Sequence, residues 1–288
     1  MNVVIEKLTK VYRGGHRALD EVDLVLGAGT IGLLGANGAG KTTLLRILTG
    51  VLRPTSGRVV VGGHDLATGV GRTATKRMLG YLPQELAMYP DLSGREFLDY
   101  IALLKGLDDK RARRAQIESL LDRVAMTEHA GRRIGTYSGG MKRRIGIAQT
   151  LLGDPRLIVV DEPTSGLDPE ERMRFRALLA GLGGSRTVIL STHILDDVAQ
   201  SCSEVAVLSH GRLVFRGSTA DLTDAASGRT YLVRSDVAMS GDLVVVNASV
   251  TGQGTEYRVV GPVAPPGARL VAPTLEDGYV ALLHHLKR

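Results

Sequence analysis

Gly35-Ala36-Asn37-Gly38-Ala39-Gly40-Lys41-Thr42-Thr43 decides how this chain folds. It fits the spacing Gly, four residues, Gly-Lys-Ser/Thr. Before it, Ile31-Gly32-Leu33-Leu34 reads as a short buried strand. After it, Thr43-Leu44-Leu45-Arg46-Ile47-Leu48 reads as a helix stopped by Gly50. Strand, glycine-rich turn and helix are the context a phosphate-binding loop needs. The glycines let successive N–H groups line an anion nest, and the helix adds its positive end. Lys41 is placed to reach the β- and γ-phosphates, and the Thr42 hydroxyl to ligate Mg²⁺. A glycine-rich turn with a merely solvated lysine is the plain alternative. It does not account for glycines, lysine, hydroxyl and flanking elements together.

The strand pattern recurs on both sides. Residues 2–8, Leu24 to Leu26 and Val59 to Val61 read as strands, and Met78 to Leu82 as another ending at Pro83-Gln84. From Glu85 to Asp154 the pattern turns helical. Ser93-Gly94-Arg95-Glu96 forms a capping box ahead of Phe97, Ile101 and Leu104. Ile117, Leu121 and Val124 mark a second helix, and Lys110, Arg111, Arg113 and Arg114 at its start read as a solvated face. After Pro155 come Leu157-Ile158-Val159-Val160, Thr187-Val188-Ile189-Leu190 and Val205-Ala206-Val207-Leu208. Such continuous apolar runs suit strands of a parallel sheet covered on both faces. Asp168-Pro169-Glu170-Glu171 opens a helix with a cap, a proline at its first position and a box acid.

The expected fold is therefore α/β. Residues 1–226 form a nucleotide-binding unit with a helical insertion at about 85–154. Residues 227–288 form a small α+β extension. In that extension Asp242 to Val250 and Thr255 to Val260 read as a hairpin around 251–254. A last helix from Thr274 carries Leu275, Tyr279, Leu282 and Leu286 on one face. That face either packs on its own hairpin or makes a dimer contact.

In an open parallel sheet, ligands bind beyond the carboxyl ends of the strands. Four apolar runs end there in polar groups: the loop with Lys41, then Gln84, then Asp161-Glu162, then His193. Each alone has an ordinary explanation as a turn or cap residue; their shared position points to one site. Asp161 and Glu162 are adjacent, so in an extended segment they face opposite sides. One can then serve Mg²⁺ while the other faces an attacking water. Ser138 is a good N-cap for a helix with Met141, Ile145, Ala148 and Leu152 on its apolar stripe. Capping does not explain Gly139 and Gly140, which cost helix stability, nor the three bases that follow. A second anion-contacting surface does.

Composition narrows the class. The chain has 288 residues, 43% hydrophobic and 23% charged, enough for a sizeable core. Aromatics are 4% and tryptophan is absent, against a surface that stacks single-stranded nucleic acid. One cysteine, Cys202, excludes an internal disulfide and fits a reducing compartment. No apolar run approaches a membrane span, and the first residues lack a signal-peptide layout, so the expected location is cytoplasmic. The net charge of +6 suits an anionic membrane face, a nucleotide or nucleic acid and decides nothing alone.

Over residues 1–216, these motifs resemble the ATP-binding subunits of ATP-binding cassette (ABC) transporters. The resemblance implies a P-loop NTPase core of RecA-like type, with an antiparallel β subdomain. It makes Tyr12 the aromatic that stacks on adenine and Gly35, Asn37, Gly38, Ala39, Gly40, Lys41, Thr42 and Thr43 the Walker A contacts to ATP. Gln84 becomes the Q-loop residue near Mg²⁺ and the transmembrane partner, one of the catalytic set, and Leu157 to Asp161 the Walker B strand with Asp161 on the metal. Glu162 is the catalytic glutamate and His193 the switch histidine at the γ-phosphate. Ser138, Gly139 and Gly140 belong to the signature motif, here flanked by Tyr137 and Met141 where the family has leucine and glutamine. Ser165-Gly166-Leu167-Asp168 is the D-loop, with Asp168 near nucleotide. The YSGGM form and the opening Pro273-Thr274-Leu275-Glu276-Asp277 are similar to ABC-2 type multidrug and antibiotic exporters. The implied partners are transmembrane permease subunits and a second ATP-binding subunit, a homodimer, on the inner face of the membrane. No nucleic acid is expected. A soluble ABC ATPase acting on ribosomes or DNA is the competing class, but a second cassette and a long coiled-coil interruption are both missing. A binding module without turnover would have lost Glu162 or His193.

Overall fold

The computed structural model describes residues 1–164, 168–182, 184–234, 242–252 and 254–285. In chain order, strands β1 (Val3–Val11), β2 (Arg17–Leu26) and β3 (Gly29–Leu34) lead into helix α1 (Lys41–Leu48). Strands β4 (Ser56–Val61) and β5 (His64–Asp65), helix α2 (Gly69–Arg77) and strand β6 (Leu79–Leu82) follow. The helical stretch holds α3 (Gly94–Leu104), α4 (Lys110–Arg123) and α5 (Gly139–Leu151). Then come β7 (Leu157–Asp161), α6 (Pro169–Ala180), β8 (Thr187–Ser191), α7 (Leu195–Ser201), β9 (Glu204–Ser209) and β10 (Arg212–Ser218). The remainder is α8 (Thr219–Asp224), β11 (Thr230–Arg234), β12 (Val244–Thr251), β13 (Gly254–Val260), β14 (Arg269–Leu270) and α9 (Leu275–His285).

The strands form three sheets. One has the order β2-β1-β4-β5, all pairs antiparallel. The second has the order β10-β9-β3-β8-β7-β6, with β3, β8, β7 and β6 mutually parallel. Every residue of β7 and β8 is buried, as their unbroken apolar runs require. Helix α1 buries Leu44, Leu45, Ile47 and Leu48 in a core shared with Ile5 and Leu24 of the first sheet and Leu33, Val159 and Ile189 of the second. A fully buried leucine contributes about 2 kcal/mol, so the helix behind the glycine loop is rigidly seated. That seating fixes where the loop points.

The helical stretch corrects two expectations. The buried face of α3 is Phe97, Leu98 and Ala102, whereas Leu104 is 68% exposed at the helix end. Ser93 does close the capping box, accepting from the Glu96 N–H while its own N–H donates to Glu96 at 2.8 Å. Arg113 is not on a solvated face. It is buried, with Nε 2.6 Å from Asp99 Oδ1 and Nη1 donating to the Leu107 and Asp108 carbonyls. A charge run says nothing about which member a carboxylate on the neighbouring helix will draw inward.

The chain divides into two compact units: Met1–Cys202 with Ala206–Phe215, and Ser203–Val205 with Arg216–Arg288. In the second, the sheet β12-β13-β11-β14 carries the expected hairpin as the antiparallel pair β12–β13. Helix α9 packs on α8 so closely that a Cβ at Gly278 would lie 1.8 Å from the Leu222 carbonyl oxygen. Asp277 is wholly buried against Arg258 at 2.6 Å and accepts from the Thr274 N–H at 2.6 Å. Of the apolar face of α9, Leu275 is buried while Tyr279 and Leu282 are half-buried; Gln253 and Leu286 lie outside the described residues. Among the described residues, no helix is long and apolar enough to cross a membrane.

Candidate functional site

The glycine loop is held by its sterics. Gly35 has φ 154° and Gly40 φ 105°, and a Cβ at either would sit 2.5 Å from a main-chain oxygen, of Leu208 or Ala18 respectively. Only glycine fits both constraints. Gly40 caps α1 without a side-chain hydrogen bond, so the helix's first N–H groups are left for an anion. The Lys41 ammonium curls over the loop and donates to the carbonyls of Gly35 at 2.6 Å and Ala36 at 3.2 Å. Burial holds its pKa below the ordinary lysine value, against the opposing pull of the Glu162 and Asp161 charges.

A cleft of about 320 Å³ opens at this loop, lined by residues 36–43 together with Gln84, Glu162 and His193. Three strand ends thus converge on the loop as the shared-site argument requires. Within the cleft, His193 Nδ1 lies 2.8 Å from Glu162 Oε2, a pairing that no sequence spacing announces.

The acidic pair is arranged differently from expectation. Asp161 ends β7, but Glu162 is not extended: its φ is +47°. A left-handed turn, not strand alternation, separates the two carboxylates. Asp161 is 1% exposed and its Oδ1 has no hydrogen-bond partner; the Oγ of Ser191, its register partner on β8, has none either. An orphaned buried carboxylate oxygen is costly and suits a cation. Among the described residues no cluster of three or more His, Cys, Asp or Glu could hold a metal. A divalent ion here would be held by one carboxylate, a hydroxyl and ligand phosphates, which is how Mg²⁺ is commonly bound. Asp161, Thr42 and Gln84 fit that role, and the ion would neutralise phosphate charge.

Tyr12 is off the cleft lining. Its hydroxyl is 3.2 Å from Thr43 Oγ1, at the start of α1, and the Lys10 ammonium is 5.5 Å from its ring centroid. It is 36% exposed, so a ring remains available beside the loop. Base stacking is worth about 1–3 kcal/mol. Tyr12→Ala is expected to weaken ATP binding by roughly fivefold to a hundredfold, Tyr12→Phe to leave it unchanged, and GTP to bind as well as ATP. Identical nucleotide titrations for wild type and Tyr12→Ala would remove Tyr12 from the site.

Ser138, Gly139, Gly140 and Asp168 do not line this cleft. Ser138 caps α5 by accepting from the Met141 N–H at 3.2 Å, and Asp168 caps α6 by accepting from the Glu171 N–H at 2.8 Å. Glu171 is no box acid; its carboxylate takes Arg144 instead. Ser165, Gly166 and Leu167 lie outside the described residues. A Cβ at Gly139 would meet nothing within 4 Å, and at Gly140 nothing nearer than Glu171 at 3.7 Å. Packing within the chain does not demand these glycines.

Sequence reasoning missed Arg143. Its place among three bases after Gly140 points to an anion-contacting surface, yet it is buried and donates to the carbonyls of Gln84 at 3.0 Å, Glu162 at 2.5 Å and Pro163 at 2.9 Å. It also missed Asp197, buried, which takes Thr164 Oγ1 and Arg176 and so braces the turn after Glu162. Neither contact leaves a local signal, because the partners lie far apart in the chain.

Comparison with known proteins finds similarity in both sequence and fold. The family model described as ABC transporter matches residues 19–165. The chain is 39% identical over 219 residues to the uncharacterized ABC transporter ATP-binding protein YxlF of Bacillus subtilis, covering 76% of this chain and 71% of that one. It is 38% identical over 228 residues to the daunorubicin resistance ATP-binding protein DrrA3 of Streptomyces coeruleorubidus, covering 78% and 71%. It is 38% identical over 242 residues to the phospholipid-transporting ATPase ABCA7 of Homo sapiens, covering 83% of this chain. The chain spans 11% of that relative's length, as it does of the Mus musculus counterpart. In fold it matches a dimeric ATP-binding cassette in a post-hydrolysis state bound to ADP and Pi, with TM-score 0.69, 24% identity and coverage of 75% of this chain and 98% of that one.

Proposed function

The chain belongs to the ABC transporter family of ATP-binding proteins, and on that premise we propose that it is the ATP-hydrolysing subunit of an exporter with separate transmembrane subunits. One juxtaposition carries this: the Glu162–His193 pair stands in the same cleft as the glycine loop and Lys41. Phosphoryl transfer to water needs a phosphate cradle, a neutralised charge and a positioned nucleophile. The loop N–H groups, Lys41 and Thr42 hold the phosphates. Thr42, Gln84 and Asp161 hold Mg²⁺. Glu162 polarises the water, His193 contacts the γ-phosphate, and Tyr12 stacks on the base. Ser138, Gly139, Gly140 and Asp168 serve the nucleotide of a second copy. Their place off the cleft, and the room for a Cβ at Gly139 and Gly140, support that assignment. The names of DrrA3 and ABCA7 favour a drug, antibiotic or lipid-like cargo over work on ribosomes or DNA. The chain then sits peripherally on the inner face of the membrane, with residues 1–226 as the ATPase and 227–288 as the extension.

The shared site makes a direct test. Lys41→Ala chains alone and Ser138→Arg chains alone are expected to be inactive, each lacking one half of every site. Mixed, they regain part of the wild-type turnover, because a mixed dimer holds one intact site. A mixture as inactive as its components, or a wild-type rate per chain independent of protein concentration, overturns the two-chain site.

A further inference from the structure

Arg143 lies on α5 five residues beyond the Ser138 cap, and its guanidinium is buried. Among the described residues no carboxylate pairs with it. All three of its hydrogen bonds go to main-chain oxygens, of Gln84 after β6 and of Glu162 and Pro163 after β7. A buried cation is expensive unless its donors are satisfied. A planar guanidinium fork presents its donors to separate carbonyls from three nitrogens in a fixed geometry, where an ammonium donates from a single nitrogen.

Two of these acceptors belong to Glu162 and its neighbour Pro163, and Glu162 is strained. Glu162 has φ +47°, a conformation that costs a non-glycine residue about 1–2 kcal/mol and persists only where surroundings over-determine it. Its N–H donates to the Ser191 carbonyl at 2.8 Å, and its carbonyl accepts from Arg143 Nη2 at 2.5 Å. Both flanking peptides of Glu162 are thereby pinned. With the backbone fixed, its carboxylate is aimed into the cleft, against His193 Nδ1.

We propose that Arg143 is a positioning residue for hydrolysis: it ties the start of α5 to the Gln84 and Glu162 loops and holds Glu162 in its left-handed conformation. This rests on Glu162 being the water-facing carboxylate. Because α5 begins with the Ser138-Gly139-Gly140 stretch, contact of that stretch with a second copy's nucleotide is felt at Glu162 through one side chain.

The test is ATP turnover and fluorescent-nucleotide binding by the full chain with Arg143→Gln, Arg143→Lys and Glu162→Gln, singly and with Arg143→Gln combined with Glu162→Gln. A displacement of about 1 Å in a reacting group can cost a hundredfold. Arg143→Gln is therefore expected to lower kcat by roughly tenfold to a hundredfold with nucleotide affinity unchanged. Arg143→Lys should fall in between. In the Glu162→Gln background, Arg143→Gln should lower turnover no further, since both act on one step. Wild-type kcat in Arg143→Gln overturns the proposal. So does loss of binding and turnover together, which marks a brace and no more. Should Arg143→Gln not fold, Arg143→Lys decides: lower kcat at unchanged affinity supports the proposal, and wild-type kcat overturns it. If Glu162→Gln itself keeps normal turnover, the role of Glu162 fails instead, and the two failures are told apart.

Discussion

Glu162→Gln is expected to lower ATP turnover by roughly two or more orders of magnitude, the scale of a lost general base, while nucleotide binding survives. The substitution keeps size and hydrogen-bonding capacity and removes the charge. Its partner His193 Nδ1, 2.8 Å away, can still be met by the amide. The phosphates are held elsewhere, by the loop N–H groups, Lys41 and Thr42. Binding without turnover should then trap nucleotide between two copies, because hydrolysis is what releases them. An ATP-dependent dimer on size exclusion is expected for the variant, with the wild type largely monomeric in the same buffer. Near-normal hydrolysis by the variant would move the water-facing role to another residue.

Lys41→Ala is expected to act on the opposite half of the cycle. A hydrogen bond to a charged group is worth about 1.5–3 kcal/mol, so affinity for nucleotide should drop by roughly tenfold to a hundredfold. The fold has little at stake. Among the described residues the Lys41 ammonium hydrogen-bonds only to the Gly35 and Ala36 carbonyls of its own loop, and the apolar packing face of α1 is Leu44, Leu45, Ile47 and Leu48. Thermal stability without nucleotide should thus stay near wild type, and the gain on adding ATP should shrink with the affinity. A nucleotide titration superimposable on wild type would take Lys41 out of the phosphate site.

Much of this molecule is written locally. A glycine demanded by a positive φ, a serine or aspartate accepting from an N–H three residues on, and an apolar run covered on both faces depend on neighbours in sequence. The glycine loop, the caps at Ser93, Ser138 and Asp168, and strands β7 and β8 are accordingly legible from residues alone. The convergence of Lys41, Gln84, Glu162 and His193 on one cleft follows from strand ends in a parallel sheet. What a buried polar group pairs with is not local. Arg113 turning inward to Asp99, Arg143 reaching carbonyls 59, 19 and 20 positions away, and Asp197 holding Thr164 33 positions back are choices among many acids and carbonyls. Only packing, by removing water from one of them, makes that choice. The left-handed turn at Glu162 belongs with them. Nothing in Asp161-Glu162-Pro163 calls for it; the Ser191 carbonyl on one side and the Arg143 guanidinium on the other impose it, and both arrive from distant parts of the fold.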